Sequence, residues 1–145
     1  NQHDASAFLE DRGITYVNRE PDLGKRYGMS MTIDLFDTDG KVSVRGTISE
    51  GLAMVTRIDG FDNLYFQPQG CSVLVVYDDQ PGVLAKITAI IADESINIED
   101  IRCPHDAGRG KSIAVLKVNS EVSDAVLDKI TASIGADRAV FLKLD

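Results

Sequence analysis

Beyond residue 70, the hydrophobic period of this chain switches between two and 3.6 in a fixed order: strand, helix, strand, strand, helix, strand. Few folds accommodate that order. "CSVLVVY", residues 71–77, is a nearly continuous apolar strand, and "PGVLAKITAIIADE" follows as a helix. In that helix Val83, Leu84, Ile87, Ile90 and Ile91 share one face, and Pro81 suits the first turn. "INIEDIRC" and "KSIAVLKV" read as strands joined by a mobile-looking loop, "PHDAGRGK". Ser123 is placed to cap a second helix, whose face is Val122, Val126, Leu127, Ile130 and Ile134. "RAVFLKL" supplies the last strand. The βαββαβ order predicts a ferredoxin-like unit with both helices on one face of an antiparallel sheet. Such a sheet should alternate, yet Val73 to Val76 and Ile113, Val115 and Leu116 are apolar on both faces. That pattern predicts that the second face, or an edge, is buried by a partner, and hence self-association.

The first half obeys a different rhythm. Residues 4–13 read as a short helix with Ala5, Phe8 and Leu9 on one face, and "ITYVNRE" as a strand. "MSMTIDLF" alternates cleanly, with Met29, Met31, Ile33 and Leu35 on the buried side of a half-buried strand. "DTDG" is a hairpin signal, after which "KVSVRGTI" returns with Val42, Val44 and Ile48 in phase. "SEG" marks a further turn, "LAMVTRI" another strand, and "FDNLYF" closes the series. "QPQG", residues 67–70, is the best boundary. The expectation is an α+β chain: an antiparallel, β-rich portion over residues 1–69, then the βαββαβ unit over 70–145.

Composition narrows the partners. A net charge of −8 and a pI near 4.7 argue against nucleic acid or an anionic membrane, both of which select basic patches. No apolar run approaches the roughly 20 residues of a membrane span. There is no signal-peptide pattern, and a chain that does not begin with Met reads as part of something longer. Cys71 and Cys103 lie in strand-like apolar contexts without metal-ligand spacing, so they read as buried free thiols in a reducing cytoplasm. His3 and His105 read as surface residues. No metal site and no catalytic set emerges.

The turn "YDDQPG", residues 77–82, is the most informative short stretch. The free amides around Gly82, Val83 and Leu84 would form an anion site at a helix N-terminus, and Gly82 lets a ligand approach the backbone. Asp79 can meet an ammonium, while Tyr77 and Asn97 can both donate and accept hydrogen bonds. Such a set complements an α-amino acid. The same residues also make an ordinary acidic turn before a helix, and the residue types alone leave both readings open.

The run "DDQPGVLAKITAIIADESINI" resembles the signature of ACT domains, amino-acid-sensing modules of βαββαβ fold, over residues 71–145. Upstream, "DRGI", "VRGTI", "IDGF" and "PQG" resemble the second half of the intervening domain in long D-3-phosphoglycerate dehydrogenases. The resemblance implies a regulatory C-terminal region. The NAD-binding catalytic domains would lie elsewhere, and no G-x-G-x-x-G occurs in this chain. It implies that L-serine is bound between two ACT domains by Tyr77, Asp79, Gln80, Gly82, Val83, Leu84, Asn97 and Ile98. The resemblance also implies a second site, since in the intervening domain of some relatives cationic residues bind phosphate or the substrate. Here Met54, Phe61 and Gln67 stand in the corresponding region, leaving Lys25, Arg26, Arg45 and Arg57 as second-site candidates against a reading as solvated or paired surface charge. Three alternatives stay open: a dimerisation module that senses nothing, a sensor for another amino acid, and the comparable module of an iron–sulfur serine dehydratase. For the last, Cys71 and Cys103 do not make a cluster-binding set.

Overall fold

The computed structural model describes residues 30–38, 40–106 and 108–145. The expected helix at 4–13, the strand "ITYVNRE", Met29 and His3 lie outside the described residues. Three strands, β1 (Ser30–Asp37), β2 (Gly40–Ser49) and β3 (Leu52–Ile58), form an antiparallel meander. The β2–β3 connection is the two-residue turn Glu50–Gly51, both with positive φ (51° and 81°), the geometry whose twist matches a hairpin.

Residues 70–145 form β4 (Gly70–Asp78), α1 (Val83–Asp93), β5 (Ile98–Arg102), β6 (His105–Asp106), β7 (Lys111–Val118), α2 (Asp124–Ile134) and β8 (Arg138–Leu144). The sheet order β5-β7-β4-β8 is antiparallel throughout, with β6 pairing onto β7. This is the expected ferredoxin-like arrangement. On one face Val73, Val75, Ala114, Leu116 and Val118 meet Ile87, Ile90 and Ile91 of α1 and Val126, Leu127 and Ile130 of α2.

Four expectations need correction. First, the apolar second face of this sheet is covered by the chain itself. Leu74, Ile113 and Val115 pack with Phe61, Leu64 and Phe66, and with Val55 and Ile58 of the meander. The two-sided apolar strands therefore need no partner to explain them. Second, "FDNLYF" is not a strand. Its pairing with β3 is limited to isolated bridges, Phe61 to Ile58 and Phe66 to Val55, and a bond from the Leu64 amide to the Thr56 carbonyl. Positive φ at Asn63 (62°) and Tyr65 (45°) breaks its alternation and turns Leu64 fully inward. Third, β1 is not half-buried: Met31, Ile33 and Leu35 are exposed because β1 is the sheet edge. Val55 and Ile58 of β3 take the same face into the core. Fourth, Pro81 lies ahead of the helix, whose N-cap is Gly82 in the left-handed region (φ 86°), and Leu84 faces outward. Ser123 does hold the N-cap of α2, but through its carbonyl, which accepts from Val126 and Leu127; its side chain makes no capping bond.

Candidate functional site

The turn after β4 owes its shape to three anchors. Asp79 donates its amide to the carbonyl of Gly110 (2.9 Å), fixing the chain as it leaves the sheet. Asp78 is engaged by Lys111 (2.5 Å), which also holds Asp137 (2.7 Å), and those two carboxylates raise the lysine pKa. Gly82 adopts a conformation that a Cβ would strain, and swings the chain into α1. The carbonyl of Gly82 accepts from Lys86 (3.1 Å), and that of Gln80 from Val83 (3.4 Å). The amides of Leu84 and Ala85 remain free of intrahelical partners, as in any first helical turn. The exposed carboxylate of Asp79, in no ion pair among the described residues, stands beside this positive helix end.

Tyr77 sits beneath the turn, 2% exposed, with its ring in the helix-side core. Its hydroxyl lies 3.0 Å from Cys103 Sγ and hydrogen-bonds Ser112, its cross-strand neighbour. Burial, then Cys103 and the charge of Asp79, push the phenol pKa well above its ordinary value. Tyr77 is thus a neutral, buried donor and acceptor. Both cysteines are free thiols as expected, but neither is fully buried: Cys71 is half-buried, and Cys103 is exposed at the end of β5.

Asn97 and Ile98 occupy the other end of α1. The helix turns off through Ser95 (φ 57°), and the Ile96 amide returns to the carbonyl of Ile91 (3.3 Å). Asn97 is pinned through its backbone: its amide donates to Asn119 Oδ1 (3.0 Å) and its carbonyl accepts from the Asn119 amide (3.1 Å). Its side chain is left at the surface. There Asn97 and Ile98 form one wall of an open groove of about 450 Å³, facing Ala85, Thr88, Ala89 and Ala92 of α1. None of Tyr77, Asp79, Gln80, Gly82 or Leu84 lines it. The structure therefore gathers Asp79, Gln80, Gly82 and Leu84 at the start of α1, over buried Tyr77 and Val83, and sets Asn97 and Ile98 at its end.

Sequence reasoning missed the alanine wall, the Asn119 lock and the Tyr77–Cys103 contact. The spacing Ala85, Ala89, Ala92 on the face opposite Ile87 and Ile91 was the available signal for the first. Nothing in the sequence signalled the other two.

Of the second-site candidates, Lys25 and Arg26 lie outside the described residues. Arg45 and Arg57 stand opposite one another across β2 and β3. Both are engaged within the chain. Arg45 bonds Asp62 (2.6 Å) and Thr56 (3.2 Å), and Arg57 bonds the Asp59 carbonyl (2.6 Å) and Ser43 Oγ (3.0 Å).

Comparison with known proteins finds similarity along the chain. Residues 73–135 match the family described as "AHAS small subunit-like ACT domain". The chain is 25% identical over 145 residues, 99% of its length, to 26% of a D-3-phosphoglycerate dehydrogenase from Synechocystis sp.. It is also 25% identical over 130 residues, 90% of its length, to 24% of the enzyme of the same name from Methanocaldococcus jannaschii. A solved formyltetrahydrofolate deformylase from Pseudomonas syringae is similar over 55% of this chain and 29% of its own, at 17% identity and a TM-score of 0.44. The chain spans about a quarter of the length of the curated relatives it matches. The expected resemblance to the C-terminal region of D-3-phosphoglycerate dehydrogenases, ending in an ACT domain, holds.

Proposed function

We propose that this chain, with an ACT domain over residues 73–135 and phosphoglycerate dehydrogenase relatives along its whole length, is a serine-sensing regulatory region. In this reading L-serine binds between two ACT domains and restrains a parent enzyme that oxidises 3-phosphoglycerate with NAD in the cytoplasm. NAD would be held by other parts of that parent; the sequence of this chain contains no G-x-G-x-x-G.

One observation carries the two-chain reading: the turn and Asn97 stand at opposite ends of α1. The helix has eleven residues, about 16 Å at 1.5 Å per residue, more than one amino acid spans. Within one chain, Asp79 and Asn97 cannot grip the same small ligand. In an isologous pair, where each surface meets its own copy, the turn of one protomer meets Asn97 of the other twice. The ligand carboxylate then rests on the free amides at the start of α1, those of Leu84 and Ala85, because the Val83 amide is taken by Gln80, and the ammonium on Asp79. The serine hydroxyl lies by Asn97 of the partner protomer, with Tyr77 beneath. A ligand that completes only the paired arrangement stabilises it by its differential affinity, which is the requirement for control at a distance.

Titration calorimetry of the chain with L-serine, with glycine and L-alanine as controls and Asp79→Ala alongside, tests the reading. Saturable heat with serine, lost in Asp79→Ala, is expected. A folded chain that gives no heat with serine refutes it.

A further inference from the structure

Arg109 joins two parts of the molecule that share no secondary structure. Its guanidinium bonds Asp106 (2.6 Å) and lies over the Phe61 ring, 5.7 Å from the centroid, within the range where a cation and an aromatic face attract. It also fills the space that a side chain at residue 60 would need: a Cβ on Gly60 would overlap the guanidinium and sit 3.2 Å from Asp106 Oδ2. Asp106 is itself held in place, accepting from the Gly108 amide (3.0 Å) through Oδ1 and from the Arg109 amide (3.1 Å) through its carbonyl. The residue after Arg109, Gly110, has φ 64° and accepts the Asp79 amide, and the next, Lys111, grips Asp78. On the far side, Asp59 is locked to Ser43 by both its amide (2.7 Å) and its carboxylate (2.8 Å). Three consecutive residues thus contact the turn at 78–79 on one side and the turn at 59–61 on the other.

We propose that Arg109 is a positioning residue that couples the 78–82 turn to the 59–61 turn, so that occupancy of the first stiffens the second. The proposal rests on the reading of 78–82 as the ligand turn, and it extends that reading to the route by which the β-rich half would register the ligand. Arg109 itself touches no ligand. Its action runs through Gly110 and Phe61.

The test is hydrogen exchange on the full chain, read at the amides of Ile58, Phe61 and Asp79, each of which donates a bond at these turns (3.1, 2.9 and 2.9 Å). Two variants loosen Arg109 in different ways: Arg109→Ala removes it, and Gly60→Ala displaces it. Without ligand, both should speed exchange about two- to fivefold at Phe61 and also at Asp79, the scale of one exposed cation–aromatic contact. Faster exchange at Phe61 with Asp79 unchanged in both variants overturns the coupling. With saturating L-serine, the wild type should slow at Ile58 and Phe61, and Arg109→Ala should slow at Asp79 only. Slowing at Phe61 that survives in Arg109→Ala also overturns it. A wild type that does not bind serine refutes the ligand reading instead, and the ligand-free comparison then decides the coupling alone.

Discussion

Leu64→Ala tests whether the chain covers its own second sheet face. Leu64 is fully buried, in a cluster with Leu74, Ile113 and Val115 on one side and Val55 and Ile58 on the other. Both walls are paired strands, and the Leu64 amide is tied to the Thr56 carbonyl (3.1 Å), so the segment cannot sink into the gap. Leu→Ala at buried sites costs about 2–5 kcal/mol, the larger values where the surroundings do not collapse. We expect about 3–4 kcal/mol here, a fall in Tm of roughly 3 °C per kcal/mol for a chain of this size. Urea denaturation should show a lower midpoint at an unchanged slope. Tyr65, next in sequence, is 50% exposed, and Tyr65→Ala should cost under about 1 kcal/mol. If Leu64→Ala costs no more than Tyr65→Ala, the second face is not sealed by this segment.

Two other perturbations probe the turn. The raised pKa of Tyr77 means that the folded chain keeps that proton above pH 10.0, the ordinary phenol value, while the unfolded chain releases it. Stability should therefore be indifferent to Tyr77 below that pH and fall as pH rises above it, and an ultraviolet titration of the four tyrosines should show one ionising late. Four equivalent tyrosines near the ordinary value would contradict the burial argument. Gly82→Ala meets no atom within 4 Å but places a Cβ at φ 86°, so about 1–2 kcal/mol of stability should be lost through strain alone, measured by the same denaturation.

The ferredoxin-like half was legible because its information is local. The period-3.6 stripe of Ile87, Ile90 and Ile91 and the unbroken apolar β4 fix element type and order without reference to anything distant. What escaped depends on contacts far apart in sequence. "FDNLYF" carries the apolar spacing of a strand, but Leu64 is aimed by positive φ at its neighbours into a groove made by residues up to about fifty positions away. The doubled apolar faces of β4 and β7 were read correctly as a demand for cover, and incorrectly as a demand for a second chain. At the site, the residue types were legible, and so was the helix "PGVLAKITAIIADE" that parts Asp79 from Asn97. The sequence did not show that the Asn97 backbone is pinned to Asn119, 22 positions on, which leaves the Asn97 side chain at the surface. Cys103 looked buried by its apolar neighbours, but it lies just past the end of β5, where strand alternation no longer applies.

The most direct test of a site shared between chains is complementation. Asp79→Ala and Asn97→Ala are each titrated with L-serine, then mixed in equal amounts, allowed to exchange subunits, and titrated again. If the turn of one protomer and Asn97 of the other build each site, neither variant alone binds, and the mixture recovers about a quarter of the wild-type capacity: half the dimers are mixed, and each carries one intact site of two. A mixture that binds no better than its components, beside a wild type that binds, would contradict the shared site.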